Sequence, residues 1–335
     1  MNKKLICSVF ALIAINSGSR ADETINEPIQ PIPETISPAA RAYYENLQPR
    51  PAGSVDVENP KALAFMRQFL GKIFLANAEQ LGIEYELEPA AIEGVEAYWI
   101  RNSQSVSDKA LIYLHGGGYI LGSARTNVAL PVRINQYSRI PVLSVEYRLA
   151  PEHKFPAGLM DALGTYRWLL ENGFEAESIG VFGDSAGGGL ALALALGARD
   201  EGLPQPGALA VLSPSTDQAR RGDTQVTLAT FDPILGSGAA TPGHVYAGDT
   251  PLTNPLISPV YADLTGMGPL LIQVGTREKL LSGSVRLARR AREAGVDVTL
   301  DVWEGMWHVW QDHPTIPEAE QASQEISAFF RRNLR

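Results

Sequence analysis

"SIGVFGDSAGGGLALALALGA", residues 178–198, decides how the rest of the chain is read. A short apolar run ends in Gly183-Asp184-Ser185-Ala186-Gly187, and an Ala/Leu-rich helical stretch follows. A strand that turns at once into a helix needs small residues on both sides of the apex, where backbones approach too closely for a Cβ. The residue at the apex is then held out of the sheet at the positive end of a helix. A serine there is placed as a nucleophile, in the G-x-S-x-G elbow arrangement. A phosphate-binding loop would require Gly-Lys-Ser/Thr, and no lysine is present.

Further apolar runs surround this one: "ALIYLH" (110–115), "PVLSVEY" (141–147), "ALAVLSP" (208–214), "PLLIQVG" (269–275) and "VTLDVW" (298–303). Continuous apolar runs suit strands buried on both faces, and their alternation with helical stretches predicts a mostly parallel sheet. "IEYELEP" and "VEAYWI" precede them as a strand pair joined near Glu93-Gly94, which brings the expected total to eight. Residues 214–268 break the rhythm with Gly, Pro, Thr and Asp and are too long for a plain connection, so they are expected to form an insertion at the strand ends. Apolar residues at helical spacing over 41–82, as in "ALAFMRQFLGKIFLANAEQL", predict N-terminal helices. The four prolines of "DETINEPIQPIPETISPAA" (22–40) predict a flexible or extended leader.

The first 21 residues are expected to be a signal peptide. "MNKK" is basic, the 11-residue run "LICSVFALIAI" is apolar, and small residues Ser19 and Ala21 mark a cleavage site. The run is too short to span a bilayer, which takes about 20 residues. The protein is therefore expected to be exported, to the periplasm or the medium. Cleavage would remove Cys7, the only cysteine, so thiol nucleophiles, disulfides and cysteine–metal sites are excluded from the mature chain. The formal charge of −9, without basic blocks, argues against nucleic acid and anionic membrane surfaces as partners. Five scattered histidines show no metal-binding spacing.

A second glycine motif, His115-Gly116-Gly117-Gly118, follows the strand at 110–115. Bare backbone N–H groups at a strand end can stabilise a developing oxyanion, each contributing about 3 kcal/mol to lowering the barrier. Gly116 and Gly117 are assigned as donors, joined by the N–H of Ala186.

"HGGGYILGS" (115–123), "EYRLAPEHKFPAGLMDA" (146–162) and "VFGDSAGGG" (181–189) together resemble the hormone-sensitive-lipase-like family of α/β-hydrolases, over roughly residues 111–310. The resemblance implies the α/β-hydrolase fold, with a sheet flanked by helices and a cap made of N-terminal helices and an insertion. The corresponding division is 41–82 and 214–268 for the cap, with 83–213 and 269–335 for the catalytic domain. It also implies a carboxylesterase acting on short acyl esters without a cofactor, on a small-molecule ester or lactone substrate. A lactone hydrolase or an amidase on the same machinery stays open, as does a homodimer. A non-catalytic ligand-binding receptor would be expected to lack part of the site.

The fold orders its triad as serine, acid, histidine. His115 and His153 precede the serine, and His244 lies in the insertion. His308, on the loop after the last strand in "DVTLDVWEGMWHVWQ", is left as the base, with His313 assigned to a turn before Pro314. The acid should follow the penultimate strand, where "LIQVGTREKLL" (271–281) offers Glu278 between Arg277 and Lys279. The family more often has aspartate there, so glutamate is a departure, chemically acceptable because the fold uses either acid. The competing reading of Glu278 is a surface ion pair, worth about 0–1 kcal/mol. The position of a second acid four residues later is taken by Ser282. Tyr119, Met306, Trp307 and Trp310, close to these motifs, are expected to line an apolar substrate pocket.

Overall fold

The computed structural model describes residues 31–47, 57, 59–92, 94–105, 108–236 and 242–335. The expected signal peptide, with Cys7, and the first part of the leader lie outside the described residues.

The eight expected strands are present: β1 Glu86–Ile92, β2 Val95–Arg101, β3 Ala110–Leu114, β4 Val142–Glu146, β5 Ile179–Asp184, β6 Ala208–Leu212, β7 Leu270–Gly275 and β8 Val298–Trp303. They form one sheet in the order β1-β2-β4-β3-β5-β6-β7-β8, antiparallel at β1/β2 and β2/β4 and parallel elsewhere. Pro89, which has no N–H to give a ladder, falls in the edge strand β1.

The helices among the described residues are α1 Pro38–Asn46, α2 Pro60–Gln80, α3 Ala129–Ser138, α4 Ala157–Glu171, α5 Ala186–Asp200, α6 Thr224–Thr227, α7 Pro242–Ala247, α8 Leu281–Glu293 and α9 Pro317–Asn333. None is long and apolar enough to cross a membrane. The two faces of the sheet follow the strand period of two. In β3, Ile112 and Leu114 enter a core shared with α4, α5 and α8, while Leu111 and Tyr113 enter one shared with α3 and α9. Helix α5 is apolar all round because it is buried all round, from Ala186 to Ala198.

The leader expectation needs correction at its C-terminal half. Helix α1 starts at Pro38, inside the stretch read as flexible, because Ser37 caps it by accepting from the Ala40 N–H at 3.0 Å and Pro38 stands where a proline is tolerated. Ile36 and Ala40 are buried against Met306, Trp307 and Trp310, so residues 31–40 hold a satellite core together.

The N-terminal helices and the 214–268 segment both attach over the carboxyl ends of the parallel strands. Arg67 of α2 donates to the carbonyls of Ile120 and Ala150, beyond β3 and β4. Thr224 of α6 donates to the carbonyl of Lys279, beyond β7, at 2.7 Å. Tyr44 of α1 joins the two segments by donating to the carbonyl of Phe231 at 2.8 Å. Ligands of open α/β sheets bind at this end.

Candidate active site

Between Ser178 and Ala198 a single residue escapes full burial, and it is Ser185. It sits between β5 and α5 with φ 54° and ψ −118°, a conformation costly for a residue with a Cβ. Its neighbours show why they are glycine. A Cβ on Gly187 would lie 1.8 Å from the Leu114 carbonyl oxygen, and one on Gly183 would lie 2.4 Å from that of Gly187. The strained apex is held from both sides: Ser185 N–H donates to Leu212 O at 2.8 Å, and its carbonyl accepts from Ser215 N–H at 2.8 Å.

His308 lies on the loop after β8, with Nε2 2.9 Å from Ser185 Oγ and Nδ1 2.9 Å from Glu278 Oε2. The carboxylate accepts at Nδ1, so that nitrogen carries the ring proton and Nε2 accepts from the serine hydroxyl. Burial opposes a charge on the ring, but Glu278, helped by Asp232 and Asp184, outweighs it and holds His308 above the ordinary histidine range. For Glu278, burial pushes the carboxyl upward against the hydrogen bonds from His308 and the Gly275 N–H.

Glu278 has no exposed surface, so it is not one half of a solvated ion pair. Its charged neighbours are buried too, and they reach away from it. Arg277 stacks over Tyr44 at 4.8 Å, donates to the Tyr44 hydroxyl at 2.9 Å and to the Pro31 carbonyl. Lys279 Nζ donates to Gly236 O at 3.0 Å, and its N–H donates to the Asp232 carboxylate at 2.9 Å. The acid is thus flanked by tethers to α1 and its leader on one side and to the 214–268 segment on the other.

The remaining histidines are accounted for. Burial pushes His115 down to about 4, its Nδ1 lies 2.7 Å from Gly116 O, and its ring stacks on Tyr147 at 4.3 Å. His153 and His244 are exposed. His313 lies edge-on to Tyr43 at 4.1 Å, and burial followed by the nearby Arg133 charge lowers it to about 4.

The glycine motif corrects one assignment. The N–H of Gly116 donates to Asp184 Oδ1 at 3.1 Å and is not available to an oxyanion. The N–H groups of Gly117 and Gly118 donate to no acceptor among the described residues. Both glycines have positive φ, 118° and 66°, and a Cβ on Gly117 would meet Leu121 O at 2.2 Å. The available donors are therefore Gly117 and Gly118, with Ala186 at the first turn of α5, where helical N–H groups have no intrahelical partner. Asp184, which also accepts from the Tyr113 hydroxyl at 2.7 Å, ties this loop to the nucleophile elbow.

The expected pocket residues are also corrected. Tyr119 is 3 % exposed and stacks flat on Tyr246 at 3.9 Å. Met306, Trp307 and Trp310 are 0 %, 2 % and 0 % exposed and pack on Ile36, Ala40 and Tyr43. They are the back wall of the histidine loop, facing the N-terminal segment. Sequence reasoning missed Ser213 altogether: its hydroxyl donates to Glu278 Oε1 at 2.8 Å and accepts from Val309 N–H at 3.1 Å.

With the geometry in place, the likenesses to known proteins are specific. Residues 111–312 match the family model of the alpha/beta hydrolase fold. The chain is 38% identical to an acetyl-hydrolase of Streptomyces hygroscopicus over 237 residues, 70% of this chain and 79% of that protein. It is 32% identical to an esterase of Acinetobacter venetianus over 247 residues, 73% of this chain and 81% of the relative. Among solved structures, an esterase/lipase from an uncultured bacterium superposes with TM-score 0.82 at 37% identity, covering 89% of this chain and 99% of the other. An esterase from the bacterial hormone-sensitive lipase family superposes with TM-score 0.75 at 38% identity, covering 82% and 92%. The chain belongs to the α/β-hydrolase fold family, in its hormone-sensitive-lipase-like branch.

Proposed function

We propose that this protein is an exported serine carboxylesterase acting on short- to medium-chain acyl esters. The observation that carries the reading is the unbroken relay from Ser185 Oγ to His308 Nε2 and from His308 Nδ1 to Glu278 Oε2, each contact 2.9 Å. Ser185 Oγ attacks the ester carbonyl carbon while His308 Nε2 takes its proton. The oxyanion is met by the N–H groups of Gly117, Gly118 and Ala186. As the intermediate collapses, His308 returns the proton to the leaving alcohol, and the acyl group stays on Ser185. Water, deprotonated by His308, then attacks the acyl-enzyme, and as this second intermediate collapses His308 returns the proton to Ser185 Oγ and the acid is released. Glu278 remains ionised throughout and stabilises the imidazolium.

In this reading α1, α2 and residues 214–268 form the cap over the strand ends. Residues 1–21 direct export. The acetyl-hydrolase relative supports a preference for small acyl groups.

Hydrolysis of p-nitrophenyl esters from acetate to palmitate tests the reading. The rate is expected to peak at short chains. A folded protein inert towards every ester would overturn the proposal and direct attention to lactones and amides. The pH profile carries a second expectation. His308 accepts the serine proton only when neutral, and Glu278 holds its pKa above the ordinary value of 6.5. As pH falls, protonation therefore sets in earlier than for a free imidazole, and kcat/KM should drop along a limb centred above 6.5. A flat profile between about pH 5 and 8 would rule out a histidine base.

A further inference from the structure

Three loops meet at one hydroxyl. Ser213 follows β6 directly, has no exposed surface, and adopts φ 44°, left-handed for a residue with a Cβ. Its N–H donates to Gln273 O in β7 at 2.7 Å. Its hydroxyl proton goes to Glu278 Oε1, on the loop after β7, and its oxygen accepts the N–H of Val309, on the loop after β8. Leu212, just before Ser213, and Ser215, two residues after it, supply two backbone partners of Ser185, Leu212 O and Ser215 N–H.

Each of these contacts answers a geometric need. A carboxylate can rotate, and only one orientation presents an oxygen to His308 Nδ1. Glu278 Oε1 is fixed by two donors, the Ser213 hydroxyl at 2.8 Å and the Gly275 N–H at 2.6 Å, which leaves Oε2 turned to the ring. Val309 has φ 56° and ψ 43°, a left-handed conformation unfavourable for a β-branched side chain. It immediately follows His308, and the Ser213 oxygen holds its N–H. Strained backbone of this kind persists where surrounding bonds over-determine it.

We propose that Ser213 is a positioning residue of the Ser185–His308–Glu278 relay, its hydroxyl orienting the acid and fixing the turn behind the base. The inference rests on the esterase reading above. Ser213 touches no substrate; it acts through Glu278 and through the Val309 backbone.

The two roles open to Ser213, turn residue or hydroxyl donor, separate cleanly by substitution. Ser213→Gly removes the hydroxyl and relieves the left-handed strain. Ser213→Ala removes the hydroxyl and keeps the strain. If the hydroxyl matters, both variants lose kcat by about 10- to 100-fold, the size expected for losing one hydrogen bond to a charged group. KM should stay near the wild-type value, since the lost interaction acts in the transition state.

The acid limb should also move to higher pH. The charged groups facing the pair are Asp232 and Asp184, both acids. Without the Ser213 donor the Glu278 carboxylate is less stabilised and draws a proton onto the pair more strongly.

The experiment measures kcat, KM, the pH profile and thermal melting of the mature wild type, both Ser213 variants and Ser185→Ala. A Ser213→Gly variant that melts no lower than Ser213→Ala yet shares its kcat loss and shifted limb supports the proposal. A Ser213→Gly variant with wild-type kcat and limb overturns it, whatever Ser213→Ala does. Activity retained in Ser185→Ala would instead overturn the underlying esterase reading.

Discussion

Ser185→Ala is expected to lower kcat/KM for a short p-nitrophenyl ester by about 10⁴- to 10⁶-fold and to leave the melting temperature within a few degrees of wild type. The loss should be large because the proposed mechanism makes the hydroxyl the nucleophile, and the oxyanion donors alone leave only residual catalysis. The fold should survive because the elbow does not depend on the hydroxyl. Its φ of 54° is maintained by the Leu212 and Ser215 backbone bonds and by the glycine packing at Gly183 and Gly187. Alanine has the same Cβ as serine and meets the same strain. The one hydrogen bond lost is that to His308 Nε2, at a half-exposed position where water can replace it. A variant within about tenfold of wild type would remove Ser185 from the chemistry. A variant that failed to fold would contradict the account of how the elbow is held.

Most of this architecture was legible because it is written in local pattern. The strands announce themselves as apolar runs, and the elbow needs glycines within four residues of its serine. Glu278 was legible by chain order, although its flanking charges favoured a solvated surface position. Arg277 and Lys279 are buried because their long side chains reach Tyr44 and Gly236, contacts 233 and 43 residues away in sequence. The same limit explains the two corrections at the site. Gly116, Gly117 and Gly118 are indistinguishable as sequence. The difference arises when Asp184, 68 residues on, takes the Gly116 N–H. Met306, Trp307 and Trp310 are near His308 in the chain, but the loop packs them against residues 32–44, part of which the prolines had marked as a leader. Ser213 gave no signal of its own, since a serine at a strand end is ordinary until three loops converge on it.

Glu278→Gln is the substitution whose outcome the hydrogen-bond pattern constrains most tightly. An amide can be placed two ways, but Gly275 N–H can only donate, and it lies 2.6 Å from the Oε1 position. The amide oxygen is therefore held at that site, with the Ser213 hydroxyl still donating to it. The NH₂ group is then forced toward His308 Nδ1. A donor facing Nδ1 makes that nitrogen an acceptor and moves the ring proton to Nε2, where it faces Ser185 Oγ. His308 can then no longer take the serine proton, and kcat should fall by about 10³- to 10⁴-fold with the overall geometry intact. The anion beside the ring is gone as well, so the residual activity should lose its acid limb to lower pH. Asp301→Asn supplies the contrast. Asp301 in β8 accepts from Gln273 Nε2 at 3.0 Å and from Trp303 Nε1 at 2.6 Å, and it has no contact with His308. Its substitution should cost stability through those two donors, but kcat should stay within a few-fold of wild type. The reverse pattern, with Asp301→Asn crippled and Glu278→Gln active, would reassign the acid. It would also leave the Glu278 carboxylate with only a structural task, holding the Gly275 N–H and the Ser213 hydroxyl.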